Sequence, residues 1–281
     1  MMKKWLITMR IWSLTATVVP IALGGVLAWQ SEAFSWGLFA LILLCGALLQ
    51  IATNLFNTYG DVKSGVDKDK MALLLLPLPV IHRAAWMVFV LALVLAGWIV
   101  AHTTYALLWF ALAGAFGAAC YTGKFFKYAG LGVPGVFFLM GPLEVAATYL
   151  ALTQSLTLTP FLFSLPVACH VAAILHANDL RDMESDRASG IRTFALIIGE
   201  VAAQDLYMVL MLAPYLLTLF IGYFCCSSGW PVAGVWLTFP LALGLVRNTY
   251  QHMRVETLEP RSAGVHFLFG ILFVMGLAFG H

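Results

Sequence analysis

Residues 160–193 read PFLFSLPVACHVAAILHANDLRDMESDRASGIRT, and the change of character part-way along decides the fold. Residues 160–179 are predominantly apolar and long enough to cross a hydrocarbon layer as one helix, which takes about 20 residues. Then the chain turns polar and charged through Arg192. The same alternation repeats on both sides of this segment. Candidate spans lie near 11–30, 35–56, 80–101, 104–121, 131–151, 160–179, 205–224, 230–248 and 262–280. The third and fourth are separated by very few residues. Composition agrees: of 281 residues 62% are hydrophobic and only 10% charged, with a mean hydropathy of +0.93. A soluble domain of this length carries roughly a quarter charged residues. The expected fold is therefore an all-α membrane protein, a nine-transmembrane-helix bundle forming a single domain over 1–281, with no linker or low-complexity tract.

The charges give this bundle a direction. In the nine-span reading all 15 Lys and Arg fall on one side. They are Lys3, Lys4 and Arg10; Lys63, Lys68, Lys70 and Arg83; Lys124 and Lys127; Arg181, Arg187 and Arg192; and Arg247, Arg254 and Arg261. Positively charged loops stay in the cytoplasm, so this face is read as cytoplasmic and the C-terminus as external. The opening MMKKWLITMR has the basic start of a signal peptide, but the apolar stretch after it is long and lacks a clear small-residue cleavage site, which predicts an uncleaved first span. The net charge of +2 is spread over many loops and does not indicate nucleic acid. Cys45, Cys120, Cys169, Cys225 and Cys226 are scattered along apolar runs without metal-ligand spacing, as packing residues are.

The polar face carries the chemistry. If the sixth span continues helically, Asn178, Asp182 and Asp186 stand at four-residue steps with Asp179 beside them, so several carboxylates share one face. Clustered carboxylates need a cation, and Mg²⁺ takes a few carboxylates together with phosphate oxygens. Arg181, Arg187 and Arg192 are interleaved, and guanidinium matches phosphate geometry. A second segment, NLFNTYGDVKSGVDKDK (54–70), sets Asn54, Asn57 and Asp61 at three- and four-residue spacing, followed by Asp67 and Asp69. Either segment alone reads more readily as a solvated loop. Two acidic faces at the same membrane depth make a clamp for a magnesium-bridged diphosphate. A third, CYTGKFFKYAGLG (120–132), adds Lys124 and Lys127 among aromatics, as phosphate contacts or as an ordinary positive loop. Glu144 lies about 18 Å into the fifth span if that helix starts near Gly132. A carboxyl at that depth is either functional or a protonated, hydrogen-bonded group. His170 and His176, six apart, read as packed or interfacial residues rather than a chelating pair.

Four stretches resemble the UbiA superfamily of intramembrane aromatic prenyltransferases, most closely its menaquinone branch. They are RIWSLTATVVPIALGG (10–25), NTYGDVKSGVD (57–67), YTGKFFKYAGLG with the following GPL (121–143), and NDLRDMESDRASGIRTFALIIG (178–199). After Asp67 the chain departs from the family, reading KDKMALLLLPLPVIHRA, apolar and without the Arg usual there. The resemblance implies a central cavity open to the cytoplasmic side, Mg²⁺ as cofactor, and transfer of a prenyl group from a polyprenyl diphosphate to an aromatic quinone precursor, 1,4-dihydroxy-2-naphthoate above all. Carried over by position, it implies metal ligation by Asn57, Asp61, Asp67, Asp182 and Asp186. Asp61, Asp182, Asp186 and Arg181 take catalytic roles, and Asn57, Lys124, Lys127, Asn178 and Asp179 bind substrate. The implied location is multi-pass in a membrane, a bacterial inner membrane, with the N-terminus and active-site loops cytoplasmic. Rival readings are another aromatic acceptor, a non-catalytic quinone- or lipid-binding homologue, and a transporter.

Overall fold

The computed structural model describes residues 2–63, 76–120, 126, 129–226, 230–251 and 255–280. The described residues form helices and connecting turns. A short amphipathic α1 (Met2–Thr8) leads into α2 (Ile11–Gln30), whose first turn is 3₁₀. Then come α3 (Trp36–Lys63), α4 (Leu78–His102), α5 (Leu107–Cys120), α6 (Gly132–Thr153) and α7 (Thr159–Arg181). Two short helices, α8 (Met183–Ala188) and α9 (Phe194–Ile198), precede α10 (Glu200–Phe224). The chain finishes with α11 (Trp230–Ala233), α12 (Phe239–Tyr250) and α13 (Leu258–Phe279). Seven of these helices are long and apolar enough to cross a membrane. The two other expected spans are less regular: α5 has 14 helical residues, and the eighth is divided into α11, a 3₁₀ turn at Gly234–Thr238 and α12. Gly234 and Pro240 stand at that division, where neither favours a continuous helix.

The helices pack in an order that leaves a hollow. α3 lies along α4, and both touch α5; α5 reaches α6, and α6 packs on α7. α7 is also covered by α10 and α13, and α2 closes the circuit by packing on both α6 and α13. As a result 78% of α7's apolar window is buried, against 17% for α3 and 28% for α4. α7 is a central post, whereas α3 and α4 face lipid along most of their length. Inside hydrocarbon a polar group must find its partner within the protein, and each of three buried histidines of this core finds one for its Nε2. His170 Nε2 and His176 Nε2 donate to the backbone oxygens of Met211 and Ala203 on α10, at 3.2 and 2.8 Å. His266 Nε2 donates to Thr15 O at 3.1 Å, tying α13 to α2. The two histidines of α7 are thus buried interhelical fasteners, as their spacing suggested.

Small residues set the closest approaches, as is general for helix pairs in lipid. A Cβ on Gly141 would stand 2.2 Å from Ala168 Cβ, so α6 and α7 touch backbone to backbone there. Gly24 brings α2 just as near α6, its absent Cβ falling 2.7 Å from Val145 O. At the first of these contacts α6 widens into a π-turn, Leu139–Leu143, with Gly141 and Pro142 inside it. Proline cannot donate to the helical ladder, and a wide turn absorbs that loss.

The Gly141–Ala168 contact predicts a steric cycle. Gly141→Ala should lower stability by about 1–3 kcal/mol through overpacking, and Gly141→Ala with Ala168→Gly should recover part of it. Thermal unfolding of both variants in one detergent measures this; a single variant as stable as the wild type would show that the helices can separate at no cost.

Candidate active site

The end of α3 carries Asn54, Asn57 and Asp61 on one face, all buried. Helix α3 runs on to Lys63, so Asn57 and Asp61 sit on regular helix. Asn54 is fixed by two bonds of its amide nitrogen at 2.8 Å, to Met9 O and to Ser13 Oγ. These bonds hold the turn entering α2, where Arg10 adopts a left-handed conformation (φ 49°) that non-glycine residues seldom take. Arg10 thereby stands over the same helix end. Tyr59 stacks on His82 at 4.1 Å and closes α3 against α4.

The end of α7 is organised by one guanidinium. Arg181 Nε and Nη2 make a two-pronged contact with the carboxylate of Asp182, both at 2.7 Å; Nη2 also meets Asn178 Oδ1 at 2.6 Å. Nη1 reaches across to Glu259 Oε2 on α13, again at 2.7 Å. The planar fork of arginine suits such paired recognition. The helix breaks here: Asp182 lies outside the regular helical region (φ −94°, ψ 6°), and α8 starts at Met183. The single straight helix through Asp186 expected from sequence is therefore a kinked pair. Backbone bonds still cross the break, Asp182 N to Asn178 O and Asp186 N to Asp182 O. They keep the four-residue steps, and Asp179 and Asp186 are buried. Gly190, in the left-handed region at φ 71°, ends α8 while Ile191 N bonds Asp186 O.

Both helix ends open onto one cavity of about 280 Å³. Asn57, Asn178, Arg10 and Glu259 stand at its rim, and its walls come from α2 through α7. Below the rim the lining is mainly apolar, Ile42, Ile99, Val100, Leu107 and Phe110 among others, with Thr17, Gln50, Thr53, Thr148 and Glu144 as polar members. Of the residues expected from sequence, Asn57, Asp61, Asn178, Asp179, Arg181, Asp182 and Asp186 occupy the two helix ends. Asp67, Lys124 and Lys127, and the altered stretch after Asp67, lie outside the described residues. Among the described residues no three Asp, Glu, His or Cys side chains form a metal cluster by themselves.

The family model of the UbiA prenyltransferase family matches residues 17–278. The chain belongs to the UbiA prenyltransferase family. Among relatives of this UbiA-family chain, UbiA prenyltransferase domain-containing protein 1 of Rattus norvegicus is 33% identical over 97% of the chain and 82% of its own length. The Homo sapiens protein is 32% identical over 97% and 82%. The homologue from Drosophila melanogaster is 32% identical, covering 100% of the chain and 80% of its own. In fold, this UbiA-family chain is similar to a solved UbiA homologue from Archaeoglobus fulgidus bound to GPP and Mg²⁺, with TM-score 0.67, 16% identity and coverage of 98% and 99%. A homologue from Aeropyrum pernix gives 0.69 at 16% identity, covering 93% and 97%. The family makes the protein a prenyltransferase rather than a transporter, integral to a membrane through several helices. The relatives named are animal proteins and lend no support to a bacterial inner membrane.

Two rim residues of this UbiA-family site were not legible as site residues in the sequence. Arg10 read as one of many basic loop residues, and its place depends on a backbone turn. Glu259 opens α13, far along the chain from Arg181, and no spacing rule connects them. The Arg181–Glu259 contact is partly buried, with side-chain exposures of 22% and 11%. Removing one partner strands the other in a poorly solvated place. Glu259→Ala should therefore lower stability by about 1–3 kcal/mol, and Glu259→Gln, which still offers an oxygen to Arg181, by less. Unfolding in matched detergent tests the order; equal stability of all three proteins would show that the bridge does not hold α7 to α13.

Proposed function

We propose that this prenyltransferase moves a prenyl group from a polyprenyl diphosphate to an aromatic acceptor, 1,4-dihydroxy-2-naphthoate, as a step of menaquinone biosynthesis. The observation that carries the reading is at the rim: Asn57 Oδ1 is buried without a hydrogen-bond partner, where two helix ends bearing Asp61, Asp182 and Asp186 open onto an apolar cavity. An amide oxygen left without a donor, among carboxylates, fits a hard divalent cation. Asn57, Asp61, Asp182 and Asp186, joined by Asp67, would hold Mg²⁺. Bound there, the metal would offset charge on the departing diphosphate.

The chain's own residues supply the rest. Arg181, with Lys124, Lys127 and Arg10, binds phosphate oxygens and steadies the leaving group. Asn178 and Asp179 orient Arg181 and the diphosphate end. The apolar walls take the prenyl tail and keep water from the allylic carbon, which water would otherwise capture. The C–O bond to diphosphate breaks, an electron-rich ring carbon of the acceptor forms the new C–C bond, and the displaced ring substituent leaves. With a dihydroxynaphthoate that substituent is the carboxyl group. In this reading the chain crosses the bilayer nine times, α5 and the broken α11–α12 stretch included. The rim faces the cytoplasm, in keeping with its basic loops.

Transfer of labelled prenyl diphosphate to a panel of acceptors tests the reaction. Turnover should require divalent metal and stop in excess EDTA; unchanged turnover would remove the metal from the scheme. Transfer restricted to 4-hydroxybenzoate would overturn the acceptor and leave the reaction class standing. Asp61→Asn and Asp182→Asn should each lower kcat by about a hundredfold or more, at matched membrane levels. Near-wild-type activity in either variant would dismiss that residue as a ligand.

A further inference from the structure

Glu144 is a charged-type side chain in a mainly apolar stretch of the cavity, and nothing in the proposed chemistry uses it. It follows directly on the π-turn of α6. Oε2 is buried and has no hydrogen-bond partner. Oε1 lies 3.5 Å from the place a Cβ on Gly46 would take, so the carboxyl abuts α3 at a glycine. Two neighbouring donors are committed elsewhere: Thr148 Oγ1 donates to Glu144's own backbone oxygen at 2.9 Å, and Cys45 Sγ points to Ala92 O at 3.5 Å. Thr17 lies beside the same Gly46, and Oε2 is served by none of them.

Its depth shows what it meets. From Asn57 to Gly46 is eleven residues of α3, about 16 Å at the helical rise. That is too far for an acceptor ring sitting at the diphosphate end. An isoprene unit adds four chain bonds, and an extended peptide unit of three bonds reaches about 3.6 Å, so one unit spans about 5 Å. The carboxyl therefore lies near the end of the third unit. Beyond it the cavity continues along Ile42, Ile99 and Leu107.

We propose that Glu144 sets the length of the prenyl chain: a tail of up to about three isoprene units ends above the carboxyl, and a longer tail must strip its water and leave it unpaired against hydrocarbon. This rests on the reading that the cavity receives the prenyl tail. Gly46 is part of the device, because a side chain there would displace the carboxyl from α3. No proton is transferred, and the residue acts on selectivity alone.

The test is equilibrium binding of unreactive thiolodiphosphate analogues of two to eight isoprene units, with Mg²⁺, to protein in nanodiscs of fixed lipid. Wild type, Glu144→Gln and Glu144→Leu are compared. Wild type should bind two and three units alike and four or more about tenfold worse, the effect of one unpaired polar group. Glu144→Gln, still polar, should keep the step, and Glu144→Leu should abolish it. If Glu144→Leu melts below the wild type, the adaptable Glu144→Met takes its place. A wild type without a step, or a step unchanged in the apolar variant, overturns the inference while leaving the proposed reaction intact. A wild type that binds no chain at all overturns the tail-binding reading, and this inference with it.

Discussion

A helix enclosed by protein on nearly every side can carry charge only where it emerges. α7 is such a helix, and the architecture follows from it. Along its buried length His170 and His176 each spend a donor on a neighbouring backbone oxygen. At its end the charges appear together: Asn178, Asp179, Arg181 and Asp182. The guanidinium of Arg181 gathers three oxygen-bearing side chains and fastens the end of the post to α13. That fork ties the carboxylates of Asp182 and Glu259 to one cation. The site sits at the mouth because the interior of the bundle has no place for it.

The two halves of the bundle do different work. α10 and α13 cover α7, α12 packs on both, and buried pairs such as Tyr207 with Ser262 and Tyr215 with Thr238 tie this half together. α2 to α6 wall the cavity. α2 belongs to both, packing on α6 and α13, and its entry turn brings Arg10 to the rim. A change to the supporting half would act through the position of α7, whereas a change to the walls would act on what the cavity admits.

Much of this was legible in the sequence, for identifiable reasons. Runs of apolar residues as long as a bilayer is thick leave few alternatives, so seven of the nine expected spans match long apolar helices. The paired polar segments could be read because three- and four-residue steps have a fixed meaning on a helix. What was missed depends on tertiary placement or backbone conformation. The kink at Asp182 comes from one residue leaving the helical region, a choice coupled to its contact with Arg181. Glu259 has no local signal at all. The division of the eighth span was foreshadowed by Gly234 and Pro240, but an apolar composition masks such breaks. Glu144 stood out in sequence by depth; only its orphaned oxygen and its committed neighbours distinguish it from a carboxyl that is satisfied.

The thin side of the bundle has a consequence for energetics. α3 and α4 bury little of themselves, and small residues such as Ala92, Ala96, Gly114 and Ala115 line the cavity on this side. A hydrocarbon chain lodged there exchanges one oily surrounding for another. For a guest arriving from water, each methylene would add about 0.8 kcal/mol. For a guest already dissolved in the bilayer that increment nearly vanishes, since lipid is as apolar as the wall. Partition between membrane and protein is then nearly blind to length, and discrimination must come from what the wall penalises rather than from how much of it is covered.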